Sequence, residues 1–480
     1  MLFNSLQFLV FFPVVTILYW ILPPKYRWLH LLVASCIFYS AFVPIYLLIL
    51  LVTIVIDYFA GIYIEKAQEG HKKKQYLTFS ILANIGILAF FKYYNFFLDN
   101  IVILLNQLGV APNNVPYLNI LLPIGLSFHT FQALSYTIEV YRGKQKAEKH
   151  FGIYALYVMF YPQLVAGPIE RPQNVLYQFH KRNTFNLSML MDGLRLMLWG
   201  FFKKVVVADR LALYVSSVYI VPENYHYLNL IIATLFFAVQ IYCDFSGYSD
   251  IALGSAQTMG YKLMLNFNRP YFALNIQEFW KRWHISLSTW FRDYLYISLG
   301  GNRVSMFRTY LNVAIVFILS GLWHGANWTF IVWGFLHACY ITVFMLYSGF
   351  KGKSGKKNII FDCLSWLLTF ILVVFAWIYF RAENMTIANQ IVGKIVNFDN
   401  QIPFSFVIVD KIKGKELGYF YFLFSCIFTA LFFIIEYLLT PLLEELNKSE
   451  IYDVLFFSFC ITTILIFGVF YNNSFIYFQF

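Results

Sequence analysis

From Thr309 to Phe350 the chain contains no Asp, Glu, Lys or Arg. Near the middle of that run stands a histidine, in Ser320-Gly321-Leu322-Trp323-His324-Gly325-Ala326-Asn327-Trp328. A run this apolar reads as membrane, where an ionisable side chain is costly and marks a functional-site candidate. Burial disfavours the imidazolium, since a cation loses its solvation. A neutral imidazole can then serve as a general base.

A second histidine, His284, lies in the polar stretch Asn266 to Arg303. From Asn275 this stretch fits a helix. Phe279, Trp283, Leu287, Trp290 and Tyr294 recur at helical spacing, and Glu278 precedes Lys281 and Arg282 by three and four residues. An interfacial amphipathic helix with an aromatic belt would explain the stripe equally well. His284 inside it and Arg292-Asp293 after it single it out, so Trp283 and Asp293 join the candidates. Upstream, Gln240-Ile241-Tyr242-Cys243-Asp244-Phe245-Ser246-Gly247-Tyr248-Ser249-Asp250 sets acids and hydroxyls among apolar residues. Its hydroxyls and small residues fit polar contacts between helices. Asp244 is harder to assign to packing, because an unpaired carboxylate in membrane is expensive. His324 has two readings of its own: a surface turn between tilted spans, which Gly321 and Gly325 would suit, or the tip of a half-helix lining a cavity.

The elements that must position these residues are membrane helices. The chain is 60% hydrophobic and 12% charged, against about 25% charged in soluble domains. That composition predicts an all-α polytopic membrane protein. Apolar segments fall near 5–22, 28–42, 45–64, 77–104, 117–138, 151–168, 186–222, 227–260, 306–323, 326–349, 359–380, 417–440 and 454–475. With about 20 residues needed per crossing, roughly 10–12 transmembrane helices are expected, with short re-entrant or interfacial helices beside them. No soluble domain or repeat stands out, so the chain reads as a single membrane domain, 1–480. Its motif-bearing part is about 120–340, and its C-terminal helices about 359–475.

The net charge is +11, which places basic loops on the cytoplasmic side rather than indicating nucleic acid. Such loops occur at Glu65–Lys74, Arg142–Lys149 and Lys351–Lys357, whereas the turn Ala111-Pro112-Asn113-Asn114 lies in an uncharged stretch and is expected outside. Lys25 and Arg27 as the first inside loop put the N-terminus outside. No basic residue precedes the first apolar run, so Phe8–Leu22 reads as a retained span. The six cysteines are dispersed, with no C-x-x-C. They read as buried thiols, and no metal site is expected.

Five segments, in order, resemble the membrane-bound O-acyltransferase (MBOAT) family, and within it the bacterial branch that O-acetylates alginate. They are Leu122-Pro123-Ile124-Gly125-Leu126-Ser127-Phe128, Ala166-Gly167-Pro168-Ile169-Glu170-Arg171, Asp244-Phe245-Ser246-Gly247-Tyr248-Ser249-Asp250, Glu278-Phe279-Trp280-Lys281-Arg282-Trp283-His284-Ile285-Ser286-Leu287 and Gly321-Leu322-Trp323-His324-Gly325. The likeness covers about residues 1–380. His129 stands where an aromatic is common, and Cys243 interrupts the usual run before Asp244. The resemblance implies an MBOAT fold with a central passage, His324 as the catalytic histidine set in it, and His284 as the second.

It further implies transfer of an acyl group from a cytoplasmic thioester to a hydroxyl handled on the outer side. Acetyl-CoA is the expected donor, and no bound cofactor is expected. The expected partners are a cell-surface polysaccharide such as alginate or a separate extracytoplasmic acyltransferase, together with membrane lipids and no nucleic acid. The implied location is the bacterial inner membrane. A developing oxyanion needs donors, and Asn327 and the Trp323 indole are near in sequence. Two other classes suit a polytopic chain with intramembrane polar groups: a transporter or flippase of a polysaccharide-export system, and a non-catalytic scaffold for one. The scaffold leaves the two histidines unexplained.

Overall fold

Lipid offers no partner to a backbone N–H or C=O, so an apolar chain that enters it must bond those groups within its own helices. The computed structural model describes residues 1–110, 114–118, 123, 125–165, 167–350, 359–410, 415–439, 450–470 and 475–476, and these are overwhelmingly helical. Residues 111–113 of the expected outer turn, Leu122, Ile124, Ala166 and the lysine-rich stretch 351–357 lie outside the described residues. The strands among the described residues are Ile408–Asp410 and Lys415–Leu417, paired antiparallel.

Seven helices among the described residues are long and apolar enough to cross a membrane. They are Tyr46–Lys66, Gly70–Gln107, Tyr227–Gln257, Met306–His324, Trp328–Gly349, Ile359–Arg381 and Tyr419–Tyr437, with shorter apolar helices at Leu6–Ile21 and Asp453–Phe467. That is fewer than the ten to twelve crossings expected from segment lengths. The segment 151–168 breaks at Phe160 into Phe151–Met159 and Tyr161–Leu164. The segment 186–222 runs through a π-helical turn, Phe202–Ala208. Within them, residues 153–165 and 202–211 are buried in protein.

The residues that read as one membrane domain pack as two compact units. Met1–Leu196 with Ile251–Met264 forms the first, and Met197–Asp250 with Leu265–Phe480 the second. In the first unit, α1 (Leu6–Ile21), α2 (Pro24–Ser40), α3 (Tyr46–Lys66), α4 (Gly70–Gln107) and α5 (Leu126–Tyr141) precede the short α6 (Phe151–Met159), α7 (Tyr161–Leu164) and α8 (Pro172–Phe179). Polar contacts tie α3 to α4 and α5. Asp57 accepts from Ser80 Oγ (2.6 Å) and from Asn84 Nδ2, and His129 meets Thr53 Oγ1 at 2.5 Å. After α7, the Glu170 carboxylate accepts from the Met264 N–H. Burial pushes this carboxyl up from about 4.5 to about 7.

The second unit holds the end of α9 (Leu187–Phe201), the π turn, α10 (Asp209–Ile220) and most of α11 (Tyr227–Gln257). It continues with α12 (Ile276–Arg282), α13 (Ile285–Trp290), α14 (Met306–His324), α15 (Trp328–Phe350), α16 (Ile359–Arg381), α17 (Met385–Val396), α18 (Tyr419–Ile434) and α19 (Glu450–Phe467). The π turn carries two buried lysines. Lys204 Nζ lies 2.7 Å from carboxylate oxygens of both Asp209 and Asp244, and Lys203 pairs with Asp250. Gly247 lets α11 approach this turn: a Cβ there would sit 2.7 Å from the Gly200 carbonyl oxygen. The carboxylate at Asp244 is therefore paired, which removes most of its cost in an apolar core.

Two outcomes follow from these buried charges. Lys204→Met leaves two carboxylates without their cation, and removing one partner of a buried pair costs about 3–5 kcal/mol. The purified variant should therefore unfold at a clearly lower temperature in detergent than wild type, and an unchanged midpoint would show that the pairs contribute nothing. Glu170 has a raised folded pKa, so ionising it costs stability that the unfolded chain does not lose. That cost is absent below about 4.5 and complete above about 7. Across this window, Glu170→Gln should gain stability relative to wild type as pH rises, read from unfolding midpoints at stepped pH. A difference that stays flat with pH would contradict the assignment.

Candidate active site

His324 is the last residue of α14, and its position depends on how closely α14 and α15 pack. A Cβ on Gly321 or Gly334 would overlap the backbone carbonyl of Phe330 or Phe317 on the facing helix. Only glycine allows that approach. The His324 side chain is buried, with ring centroids of Trp323, Trp333 and Phe380 at 5.0, 5.1 and 5.1 Å. α14 runs 19 residues to His324 and the side chain is buried, which matches neither a surface turn nor the tip of a half-helix.

His284 sits where the sequence predicts a continuous helix, and there the helix breaks. α12 ends at Arg282, Trp283 is extended, and His284 has φ +41°, in the left-handed region that side chains seldom occupy. The break is held open by Asn266. Its carbonyl accepts from Ile285 N–H at 2.9 Å, and its side-chain oxygen accepts from Ser286 N–H at 3.3 Å and Ser286 Oγ at 2.9 Å. These are donors that the start of α13 would otherwise leave without an acceptor. Beyond Trp290 the chain continues as a π turn, Phe291–Tyr296. At the other end, Asn275 caps α12 by accepting from Glu278 N–H, and the Glu278 carboxylate pairs with Arg282.

The same Asn266 oxygen lies 3.0 Å from His284 Nδ1. Because it also accepts from the Ser286 backbone, which can only donate, this atom is the amide oxygen. His284 Nδ1 therefore donates, and Nε2 carries the lone pair. Full burial pushes the imidazole down to about 3, so it is neutral. The Phe245 ring stands edge-on to it at 4.6 Å. Trp323 packs on both histidines, its ring centroid 6.2 Å from His284 and 5.0 Å from His324.

The structure thus brings His324, His284 and Trp323 together and places the other candidates elsewhere. The aromatic stripe is buried along its length, with Trp283 against Phe267, Phe279 and Trp377, so it is protein core rather than an interfacial belt. Asp244 bonds Lys204 and the Ile476 N–H. Asp293 pairs with its neighbour Arg292. Asn327 donates to the Glu383 carbonyl at 2.7 Å and accepts from Thr329 N–H. Asn266, Lys203 and Lys204 escaped the reading of the sequence; only the Asn266-Phe267-Asn268 run in a polar stretch hinted at the first. Among the described residues, no three His, Cys, Asp or Glu cluster as metal ligands.

Residues 148–386 match the membrane-bound O-acyltransferase family. The chain is 39% identical over 400 residues to the probable alginate O-acetylase of Azotobacter vinelandii, covering 83% of this chain and 78% of the relative. It is 36% identical over 431 residues to the peptidoglycan O-acetyltransferase of Helicobacter pylori, covering 83% and 80%. To the teichoic acid D-alanyltransferase of Bacillus subtilis it is 27% identical over 292 residues, covering 57% and 71%.

Replacing Asn266 by Ala removes the acceptor that orients His284 and leaves its buried N–H unsatisfied, at a cost of about 1–3 kcal/mol. Acyl transfer by Asn266→Ala should fall roughly 10- to 100-fold at matched membrane levels. Transfer at the wild-type rate would show that the orientation of His284 is unimportant.

Proposed function

The chain belongs to the membrane-bound O-acyltransferase family, and from that membership we propose that it carries acetyl groups from a cytoplasmic thioester to a cell-surface or exported polysaccharide such as alginate. The observation that carries this reading is the pair of buried histidines whose rings both pack on Trp323. O-acyl transfer by a multi-pass membrane protein follows from the family and the apolar helices.

In the proposed reaction, an acceptor hydroxyl attacks the thioester carbonyl carbon while His324 takes the hydroxyl proton. The carbonyl π pair moves onto oxygen. When the tetrahedral centre collapses, the C–S bond breaks, and the leaving thiolate receives the proton from His324. The products are an ester and a free thiol. General-base assistance of this kind is worth about 10²–10⁴-fold. His284, with its lone pair on Nε2, holds or relays to the acceptor hydroxyl.

Acetyl-CoA is the proposed donor. The two relatives matched over 83% of the chain are both named for acetyl transfer, whereas the D-alanyl relative is matched over 57%. A donor on one side and an acceptor on the other require a passage at the histidines. The final acceptor is the polysaccharide itself or a separate extracytoplasmic acyltransferase. The proposed setting is the bacterial inner membrane with the N-terminus outside, which the basic stretches Glu65–Lys74 and Arg142–Lys149 support.

The test is ester-linked acetate on the surface polysaccharide of deletion cells carrying wild type or His324→Ala at equal membrane levels. Wild type should restore the ester, and the variant should restore at most about a hundredth of it. Equal restoration would remove His324 from the mechanism, and no restoration by either would favour translocation of a different cargo.

A further inference from the structure

Among the buried N–H groups of the second unit without a hydrogen-bond partner among the described residues are Nε1 of Trp333 and Nε2 of His337. Both residues are 0% exposed and stand one turn apart on α15, their rings 5.0 Å apart. The His337 proton is located by its other nitrogen. The Trp280 indole, which can only donate, points at His337 Nδ1 at 3.3 Å, so the lone pair is on Nδ1 and the proton on Nε2. Roughly nine in ten buried polar groups in folded proteins are bonded, and the exceptions call for an explanation such as a catalytic role or a bound molecule.

The surroundings narrow the kind of acceptor that fits. Trp333 stands edge-on to His324, with centroids 5.1 Å apart and planes at 88°. Phe380 lies 5.3 Å from Trp333 on another side, and Trp377 stacks along it at 6.0 Å. The walls are apolar and the donors neutral. A carboxylate or phosphate would enter stripped of water with no countercharge, which is prohibitive. A neutral carbonyl oxygen needs only a donor.

We infer that the Trp333 indole N–H donates to the carbonyl oxygen of the acyl thioester undergoing attack beside His324. This rests on the assignment of His324 as the base. As the hydroxyl oxygen bonds to the carbonyl carbon, the π pair moves to the carbonyl oxygen, which becomes anionic. The N–H then holds that charge, with the His324 imidazolium formed in the same step as its countercharge, until the pair returns and the C–S bond breaks. A prepositioned donor in a site without water stabilises the charge only as it develops, which raises kcat rather than donor affinity. Asn327, a sequence candidate for this role, spends its amide on Glu383 and Thr329.

The experiment uses membranes containing the full-length protein, radiolabelled acetyl-CoA, and the host's isolated surface polysaccharide as acceptor. Trp333→Phe keeps the ring and removes the donor; Trp333→His is smaller but retains an N–H. Trp333→Phe should lose about 10²–10³-fold in kcat, with the acetyl-CoA KM nearly unchanged and Trp333→His recovering part of the loss. A Trp333→Phe kcat within about threefold of wild type, or a loss confined to KM, overturns the inference. If Trp333→Phe fails to accumulate, Trp333→His decides: no better transfer than His324→Ala overturns the inference. His324→Ala separates the two readings, since its full activity would sink the base while Trp333 is judged by its own variants. Failure of wild type to label polysaccharide from acetyl-CoA removes the carbonyl to which this N–H is assigned.

Discussion

Hydrocarbon gives a polar group nothing to bond with, so each one carried into the apolar interior must find its partner in the chain. The second unit meets this demand in two different ways. Lys204 is surrounded by the carboxylates of Asp209 and Asp244, and Asp244 also accepts from the Ile476 backbone. Here the charges are fully engaged and their chemistry is spent. Around His324 the rings of Trp323, Trp333 and Phe380 pack closely. Carboxylates thus surround the buried lysine, whereas aromatic rings pack on the candidate histidine.

The break at His284 shows what such placement costs. A left-handed histidine interrupts an otherwise favourable helix, and strain of this sort persists only where the surroundings enforce it. Asn266 supplies that enforcement with one backbone and one side-chain acceptor. The side-chain oxygen that satisfies the first turn of α13 also sets the His284 tautomer. A continuous helix would carry His284 in the same stripe but would deny it this partner. The local strain and the chemical state of the ring therefore have one cause.

Part of this was legible in the sequence. Charge depletion around His324 marked both a membrane segment and a candidate site, because an ionisable residue in an apolar run is conspicuous. His284 stood out by its position in a helical aromatic stripe. Asn266 did not, since its role depends on a contact across 18 residues and a helix break that periodicity does not register. Lys203 and Lys204 fall inside an apolar segment, and nothing in the sequence marks the π turn that points them inward at acids on two helices. Trp333 was hidden by abundance: with 54 Phe, 36 Tyr and 11 Trp, one more indole carries no signal.

The glycines of the α14–α15 hairpin connect these points. Gly321 and Gly334 allow the backbones to touch, and that contact brings Trp333 on one helix edge-on to His324 on the other. With any larger residue the helices would separate, and the imidazole and indole would separate with them. Small residues at membrane helix contacts are usually explained by packing alone. Here the same close approach sets the distance between the His324 imidazole and the Trp333 indole, so the packing of two apolar helices is also the geometry of the candidate site.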